Sequence, residues 1–181
     1  MKKYLLDTNA YFALLKHISA GNQNEIIQDI LSGECYISKV TQIEIISVIG
    51  KYARGNSGGK QVCDRVHGDT GVVCGRQFVM PRKTRWSQAK LKGWLRLEKE
   101  VSSGSNCLFN VKVLEINPDV IAEAENFIQN ALIFNFKSMD AVILGTAKAN
   151  SSDDETMVVV TADKGLKAGM DKINYPHVSI V

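Results

Sequence analysis

The sequence predicts an α/β fold: a three-layer α/β/α domain with a parallel sheet of four or five strands. Short apolar runs of strand length alternate with segments whose apolar residues recur at helical spacing. That alternation is typical of a parallel sheet with helices on both faces. The chain has 181 residues, 45% of them hydrophobic, which is enough for one domain with a substantial core.

The first predicted elements surround two short strands. A strand that ends at Leu6 leads into a helix that Thr8 or Asn9 can cap. Gly33 and Gly55 are placed to end the second and third helices. In chain order, these elements are a strand at 3–6 and the helix after it, a helix around 26–31, a strand at 35–37 and a helix from 41 to about 53.

Residues 55–83 interrupt the alternation and predict an insertion within a single domain over 1–181. Two β-like runs, 60–66 and 71–79, flank a four-residue loop and predict a β-hairpin, with Cys63 opposite Cys74. A basic helix over 84–102 follows. Its spacing favours a core position for Trp94, whereas Trp86 could lie in the core or offer a stacking face.

The remaining elements resume the α/β order. Asn117 is a predicted N-cap, with Pro118 at the first helical position, where the missing N–H costs little. Ser138 opens the next helix. In chain order, the predictions are a strand at 111–116, a helix from 118, a helix from 138, a strand at 157–160 and a last strand at 178–181.

Composition narrows the class of protein. No apolar run approaches the ~18 residues of a membrane span, and three apolar residues after the N-terminal lysines are too few for a signal peptide. A cytoplasmic protein with free thiols is therefore expected. Zinc at Cys63, His67 and Cys74 is disfavoured because no fourth ligand is evident. No strand is followed by a glycine-rich nucleotide-binding motif.

Four acidic residues follow predicted strands or open predicted helices: Asp7, Glu44, Asp140 and Asp163. Each has a structural explanation, respectively as an N-cap, as part of a capping box with Thr41, as a first-turn acid and as a turn residue. Together they favour another interpretation. The carboxyl ends of parallel strands face one crevice, and four carboxylates there suit Mg²⁺ or Mn²⁺. The pattern predicts a metal-dependent phosphodiesterase.

The motifs around these acids carry a family resemblance. The chain resembles PIN-domain ribonucleases, most of all the VapC-type toxins of bacterial toxin–antitoxin pairs. The matching segments are Leu5-Leu6-Asp7-Thr8-Asn9, Ser38-x-x-Thr41-x-x-Glu44, Ser138-Met139-Asp140-Ala141-Val142-Ile143-Leu144 and Val159-Val160-Thr161-Ala162-Asp163. They occur in the family's order, and the resemblance covers about 1–54 and 105–181, together with the helix over 84–102.

The resemblance implies specific roles. Asp7, Asp140 and Asp163 would hold Mg²⁺ or Mn²⁺, and Glu44 would be a further ligand or orient a water. Asn9 and Thr161 would fix carboxylate rotamers. The implied activity is cleavage of structured RNA by metal-activated water, leaving a 5′-phosphate and a 3′-hydroxyl. An antitoxin that inserts a basic side chain among the carboxylates is the expected partner, and homodimers are usual in the family.

The charge distribution adds a candidate RNA contact. Residues 51–96 hold 11 of the 22 Lys and Arg and two acids, a net charge of +9, whereas the rest of the chain is −6. The functional interpretation is an arm that tracks an RNA backbone, and the alternative is a solvated basic flap. The candidate RNA-binding residues are Arg65, Arg76, Arg82, Lys83 and Arg85.

Two other functions remain as hypotheses. One is a non-catalytic PIN-fold module that binds RNA or protein. The other is a phosphatase or phosphotransferase on a doubly wound sheet, which usually needs a second aspartate two residues after the nucleophile. Because Thr8 and Asn9 follow Asp7, the sequence argues against this second hypothesis.

Overall fold

The computed structural model describes residues 2–20, 25–63, 71–129, 137–152 and 154–180. The strands within these ranges are β1 (Lys3–Leu6), β2 (Glu34–Ser38), β3 (Gly59–Val62), β4 (Gln77–Met80), β5 (Lys112–Leu114), β6 (Val158–Thr161) and β7 (His177–Ser179). The helices are α1 (Thr8–Ala20), α2 (Glu25–Ser32), α3 (Lys39–Arg54), α4 (Gln88–Ser102), α5 (Pro118–Ile128), α6 (Ser138–Ala149) and α7 (Lys164–Lys172).

Five of the strands form a parallel sheet in the order β5-β2-β1-β6-β7. The first strand of the chain is central, and Leu6 at its end lies opposite Ile37 on one side and Val160 on the other. Because all the strands run in the same direction, their carboxyl ends share one edge of the sheet. The predicted parallel sheet is confirmed, and it places the residues after β1 and β6 side by side.

Helices cover both faces of the sheet. On one face, Leu5 and Val159 belong to a buried cluster with Leu144 of α6 and Leu166 of α7. Alternate strand residues point to the other face, where the Tyr4 hydroxyl donates a 2.9 Å hydrogen bond to Asp29 of α2. The predicted three-layer α/β/α architecture is therefore confirmed.

The helix starts show which caps the sequence predicted correctly. Asn117 caps α5 as expected, since its side chain accepts a 2.9 Å hydrogen bond from the Val120 amide, and Pro118 follows it. Of the residues considered as caps of α1, Thr8 and Asn9 were wrong and Asp7 was correct. That helix begins at Thr8, and Asp7 is the residue whose carboxylate accepts from the Ala10 amide, at 2.6 Å.

The predicted capping box of Thr41 and Glu44 was also wrong. Helix α3 begins at Lys39, two residues earlier than predicted, and the Ser38 hydroxyl accepts a 3.1 Å hydrogen bond from the Thr41 amide. Ser38 therefore acts as the cap directly after β2. Glu44 lies beyond the first turn and is available for another contact.

Residues Met1–Ser47 and Leu95–Val181 form one compact unit, and Val48–Trp94 form another. The second unit contains the predicted hairpin, in which β3 and β4 pair antiparallel, with Val62 opposite Gln77.

The expected pairing of Cys63 with Cys74 was wrong. The Cys63 amide donates to the Arg76 carbonyl at 2.9 Å, and the Cys63 carbonyl accepts from Gly75 at 3.0 Å. The register therefore differs from the expected one by two residues, and Gly75, beside Arg76, has a left-handed backbone with φ 62°. Trp94, expected in the core, is half-buried and stacks on Trp86, with ring centroids 5.5 Å apart.

None of the helices among the described residues is both long enough and apolar enough to cross a membrane.

Candidate active site

Asp7 lies at the end of the central strand and is 3% exposed. One carboxylate oxygen accepts from the Ala10 amide at 2.6 Å, and the other accepts a hydrogen bond from the Thr161 hydroxyl. Burial raises the pKa of Asp7 from 3.8 to about 6, although both hydrogen bonds favour the charged form. The protein thus holds a carboxylate where ionisation is unfavourable.

Thr161 connects two of the predicted acids. It ends β6, the neighbour of β1, and is fully buried. Its hydroxyl oxygen also accepts a 2.9 Å hydrogen bond from the Asp163 amide. Asp163 in turn caps α7, and its Oδ1 accepts from Gly165 at 2.6 Å and from Leu166 at 3.1 Å. Among the described residues, these bonds leave its Oδ2 available for another contact.

Glu44 lies on α3 and accepts a hydrogen bond from the Thr8 hydroxyl at the start of α1. Thr8 is 5% exposed and Glu44 is half-buried. The contact of Thr8 with an acid of the site was not predicted from the sequence. The position of Thr8 directly after Asp7 was the available signal for a role at this edge of the sheet.

Asp140 lies in the first turn of α6, and its Oδ2 accepts a 3.0 Å hydrogen bond from the Lys137 amide. The half-buried position raises the pKa of this carboxyl group. The Lys137 amide opposes the rise, and the charges of Asp163 and Glu44 add to it. The structural role considered for Asp140, at a helix start, is therefore present together with its proximity to other acids.

The four predicted acids are electrostatically coupled. The charges of Asp163 and Asp140 raise the pKa of Asp7, and those of Asp163 and Glu44 raise the pKa of Asp140. Nevertheless, no three His, Cys, Asp or Glu side chains converge on one point within the part of the chain that the structure describes. The elements bring the acids into one neighbourhood, but the side chains adopt capping geometries rather than a closed coordination shell.

The donor set fits a hard cation. All four acids offer carboxylate oxygens, which Mg²⁺ and Mn²⁺ prefer, with no thiolate among them. Burial, and after it the charges of the neighbouring acids, raises the pKa of Asp7 and of Asp140, and a bound cation would offset the repulsion between those charges. The Asp140 and Glu44 side chains are half-buried rather than packed on all sides. A change of rotamer would therefore be enough to redirect their carboxylate groups.

The remaining predicted site residues are Asn9 and the basic residues of the insertion and its flanks. Asn9 is exposed in the first turn of α1, and it makes no hydrogen bond to the four acids among the described residues. The candidate RNA-binding residues Arg76, Arg82, Lys83 and Arg85 are exposed in the second unit. Arg65 and His67 lie outside the described residues.

An apolar groove that the sequence analysis did not predict adjoins the acids. Its volume is about 350 Å³, and Val40, Ile43, Glu44, Ser47 and Met139 line it. Ile43 is 66% exposed and Met139 is 39% exposed. Large apolar side chains exposed side by side are typical of an interaction surface, and here Glu44 adds a negative charge to it.

Comparisons with solved structures show the same fold. The DNA-bound VapBC of Salmonella typhimurium aligns over 99% of this chain and 98% of its own, with 17% identity and a TM-score of 0.58. VapBC-1 of nontypeable Haemophilus influenzae aligns over 97% and 96%, with 15% identity and a TM-score of 0.56. FitAcB of Neisseria gonorrhoeae aligns over 96% and 95%, with 17% identity and a TM-score of 0.53.

No curated protein matches the chain in sequence. A family model, however, covers most of it. The PIN domain model matches residues 4–169, which include all four acids and the strands that position them. The chain therefore belongs to the PIN domain family.

Proposed function

We propose that this protein is a Mg²⁺- or Mn²⁺-dependent endoribonuclease, the toxin of a toxin–antitoxin pair. In this proposal, residues 1–181 act as one nuclease domain that carries the insertion 55–83. The observation that supports it most is the coupling of four acids at the carboxyl edge of the sheet. Burial and like charge raise the pKa of two of them, an arrangement that costs stability without a cation.

The side chains divide the work in this proposal. Asp7, Asp140 and Asp163 supply carboxylate oxygens to the cation, and Glu44 is a fourth ligand or holds a water. Thr161 fixes the rotamer of Asp7 through its hydroxyl, and Thr8 fixes that of Glu44. Asn9 would orient a carboxylate once the cation is bound. The bound cation lowers the pKa of a water and neutralises charge on the leaving oxygen.

The proposed protein partner is an antitoxin. Three of the aligned neighbours are described by their names as VapBC or FitAcB assemblies, which supports the same kind of partner here. The apolar groove beside Glu44 offers exposed Ile43 and Met139. An apolar side chain next to a basic one would match that surface and would bring a cation among the carboxylates.

Cleavage of a mixed cellular RNA pool tests the proposal. Purified protein would be incubated with RNA in Mg²⁺, in Mn²⁺ and in chelator, beside a double variant carrying Asp7→Asn and Asp140→Asn. A matched control carries Asp119→Asn and Asp154→Asn, which remove two exposed carboxylates. We expect metal-dependent cutting by the wild type and by the control, and fragments with 5′-phosphate ends.

The opposite result favours the non-catalytic hypothesis. RNA that stays intact in both metals, while the protein binds it equally in chelator, would identify a PIN-fold binding module.

A further inference from the structure

The second compact unit contains a small pocket whose walls include none of the acids described above. Its volume is about 180 Å³, and its walls are Gly50, Ala53, Arg54, Arg85, Trp86, Gln88 and Leu91. All of these residues lie within Val48–Trp94. The pocket is smaller than the ~300 Å³ of typical ligand cavities, so its size suits one planar ring rather than a whole cofactor.

Backbone hydrogen bonds build this pocket. The Trp86 amide donates to the Ala53 carbonyl at 3.0 Å, near the end of α3. Asn56 and Lys83 exchange backbone hydrogen bonds of 3.0 and 3.3 Å. Gly55 allows this close approach: its φ is +68°, and an added Cβ would lie 2.4 Å from the Lys83 carbonyl oxygen. The segment with Arg85 and Trp86 is thus held against α3.

The charged side chains among the described residues of the second unit are all basic. Its described residues, 48–63 and 71–94, include nine Lys and Arg and no Asp or Glu. All nine side chains are exposed. Arg54 and Arg85 are the two at the pocket, and their planar guanidinium groups suit phosphate oxygens as hydrogen-bond acceptors. The surface therefore attracts a polyanion and positions two forked donors at the pocket.

The aromatic wall is supported from one side. Trp86 is half-buried, and the Trp94 ring packs on it with an interplanar angle of 32°. The Lys90 ammonium lies 4.8 Å from the centre of the Trp86 ring. Lys90 is exposed, so this cation can move to a phosphate when a ring takes its place. A supported indole beside basic side chains is a typical stacking platform for single-stranded nucleic acid.

We propose that this pocket binds one unstacked base of a single-stranded RNA segment. In this arrangement Trp86 stacks on the base, Gln88 hydrogen-bonds to its edge, and Arg54 and Arg85 contact the adjacent phosphates. The inference rests on the proposed function for the identity of the polyanion as RNA. It adds a recognition site that shares no residue with the carboxylate cluster and is built from residues that flank the insertion, 50–54 before it and 85–91 after it.

An acidic peptide is the rival occupant, and the pocket fits it less well. Carboxylates would satisfy the arginines, but they would not use the apolar walls formed by Ala53 and Leu91 or the indole face of Trp86. A nucleotide combines a flat ring with a negative charge and matches both features. The experiment therefore includes a polyglutamate peptide as a competitor.

The test measures binding of a fluorescein-labelled single-stranded oligoribonucleotide to the full chain in chelator, by fluorescence anisotropy over a salt series. Trp86→Leu is compared with Trp86→Tyr, which retains a stacking ring. Arg85→Gln is compared with Lys60→Gln, which removes one exposed positive charge outside the pocket. Thermal unfolding of each variant checks that the Trp86 and Trp94 packing survives.

We expect Trp86→Leu to weaken RNA binding about fivefold or more, with Trp86→Tyr near wild type. Arg85→Gln should weaken binding more than Lys60→Gln does, and it should reduce the slope of log Kd against log salt by about 0.7 for each lost phosphate contact. Because Arg85 is exposed, its variant remains informative even if Trp86→Leu unfolds.

Three results would each contradict the proposal that the pocket binds a base. They are equal RNA affinity for all four variants, no RNA binding by the wild type, and displacement of RNA by polyglutamate at equal concentration. The proposed nuclease fails separately. If RNA binds through Trp86 in chelator but is never cut in Mn²⁺, the proposed nuclease activity is contradicted and the proposed base-binding pocket is supported. If Trp86→Leu and Arg85→Gln bind RNA with unchanged affinity and cut it at the wild-type rate, the pocket is contradicted and the nuclease activity is supported.

Discussion

The Thr161 hydroxyl donates a hydrogen bond to the carboxylate of Asp7, although 154 positions separate the two residues in sequence. The contact crosses from β6 to β1, and both residues are buried. It joins the carboxylate with the highest burial to the strand exit that also carries Asp163. The acidic cluster is thus tied together by the sheet pairing itself.

Removing that hydroxyl should destabilise the protein in a pH-dependent way. Thr161→Val keeps a similar shape but leaves a carboxylate oxygen of Asp7 without its donor, and the pKa of Asp7 should rise further. We expect a loss of about 1–3 kcal/mol in the free energy of unfolding at pH 7.5. Urea unfolding at pH 7.5 and pH 5 measures it, and the loss should be smaller at pH 5, where a protonated Asp7 needs the donor less.

Thr161→Ser is the matched control, because it retains the hydroxyl and loses only a methyl group. A Val variant that is as stable as wild type at both pH values would show that the contact contributes nothing to stability.

The buried Asp7 should make the metal-free protein less stable as the pH rises. Its folded pKa of about 6 exceeds its ordinary 3.8, so the folded state binds the proton more tightly than the unfolded state does. The cost is absent below about pH 4, grows between the two values and is complete above about pH 6. A difference of about 2 units corresponds to about 3 kcal/mol as an upper limit.

Asp7→Asn removes this titration. In chelator, the variant should gain up to about 3 kcal/mol over wild type at pH 7.5 and little at pH 4. Denaturant unfolding across that pH range checks the expectation, with Asp154→Asn as an exposed control. A variant less stable than wild type at pH 7.5 would mean that the charged carboxylate is needed at the start of α1.

The variant Asp140→Asn distinguishes a role of Asp140 as a metal ligand from a role at the start of a helix. In chelator, the variant should have a higher Tm than wild type, because burial and the charges of Asp163 and Glu44 disfavour the charged form. Added Mn²⁺ should then raise the Tm of wild type, by an amount equivalent to about 2.7 kcal/mol at a hundredfold excess over Kd. The variant should respond less.

Differential scanning fluorimetry with and without Mn²⁺ measures both effects. A lower Tm for Asp140→Asn in chelator would assign Asp140 to the start of α6, where it accepts the Lys137 amide, and would remove it from the ligand set.

Gly55→Ala should open the second unit locally. The left-handed backbone at this position and the 2.4 Å approach to the Lys83 carbonyl oxygen leave no room for a Cβ, so a cost of about 1–3 kcal/mol is expected. Hydrogen exchange should quicken at the amides of Asn56, Lys83 and Trp86, which bond across this approach. Gly93→Ala is the control, since no atom lies within 4 Å of its added Cβ.

Local sequence signals predicted much of the fold but not the hairpin register. The strand at Lys3–Leu6 and the Asn117 cap with Pro118 were correct, because apolar pattern and capping chemistry act within a few residues. The predicted register of β3 and β4 was wrong because register depends on turn geometry, which the order of apolar residues does not specify.

The site shows the same division. The motifs grouped Asp7, Asp140 and Asp163, and the charges of Asp163 and Asp140 add to the effect of burial on the pKa of Asp7. Their role as metal ligands stays a prediction. The contact between Thr8 and Glu44 depends on how α1 and α3 meet, and no local pattern encodes that meeting. The start of α3 was misplaced because Ser38 and Thr41 are both good caps, and only the structure shows that Ser38 takes the role.

The central position of β1 determines when the acidic site can assemble during synthesis of the chain. Its first strand needs β6 as a neighbour, and β6 begins at Val158. A nascent chain shorter than that has an open edge at β1 and no Thr161 to hold Asp7. Synthesis proceeds from the N-terminus, so the carboxylate cluster can assemble only after β6 and Asp163 have been made.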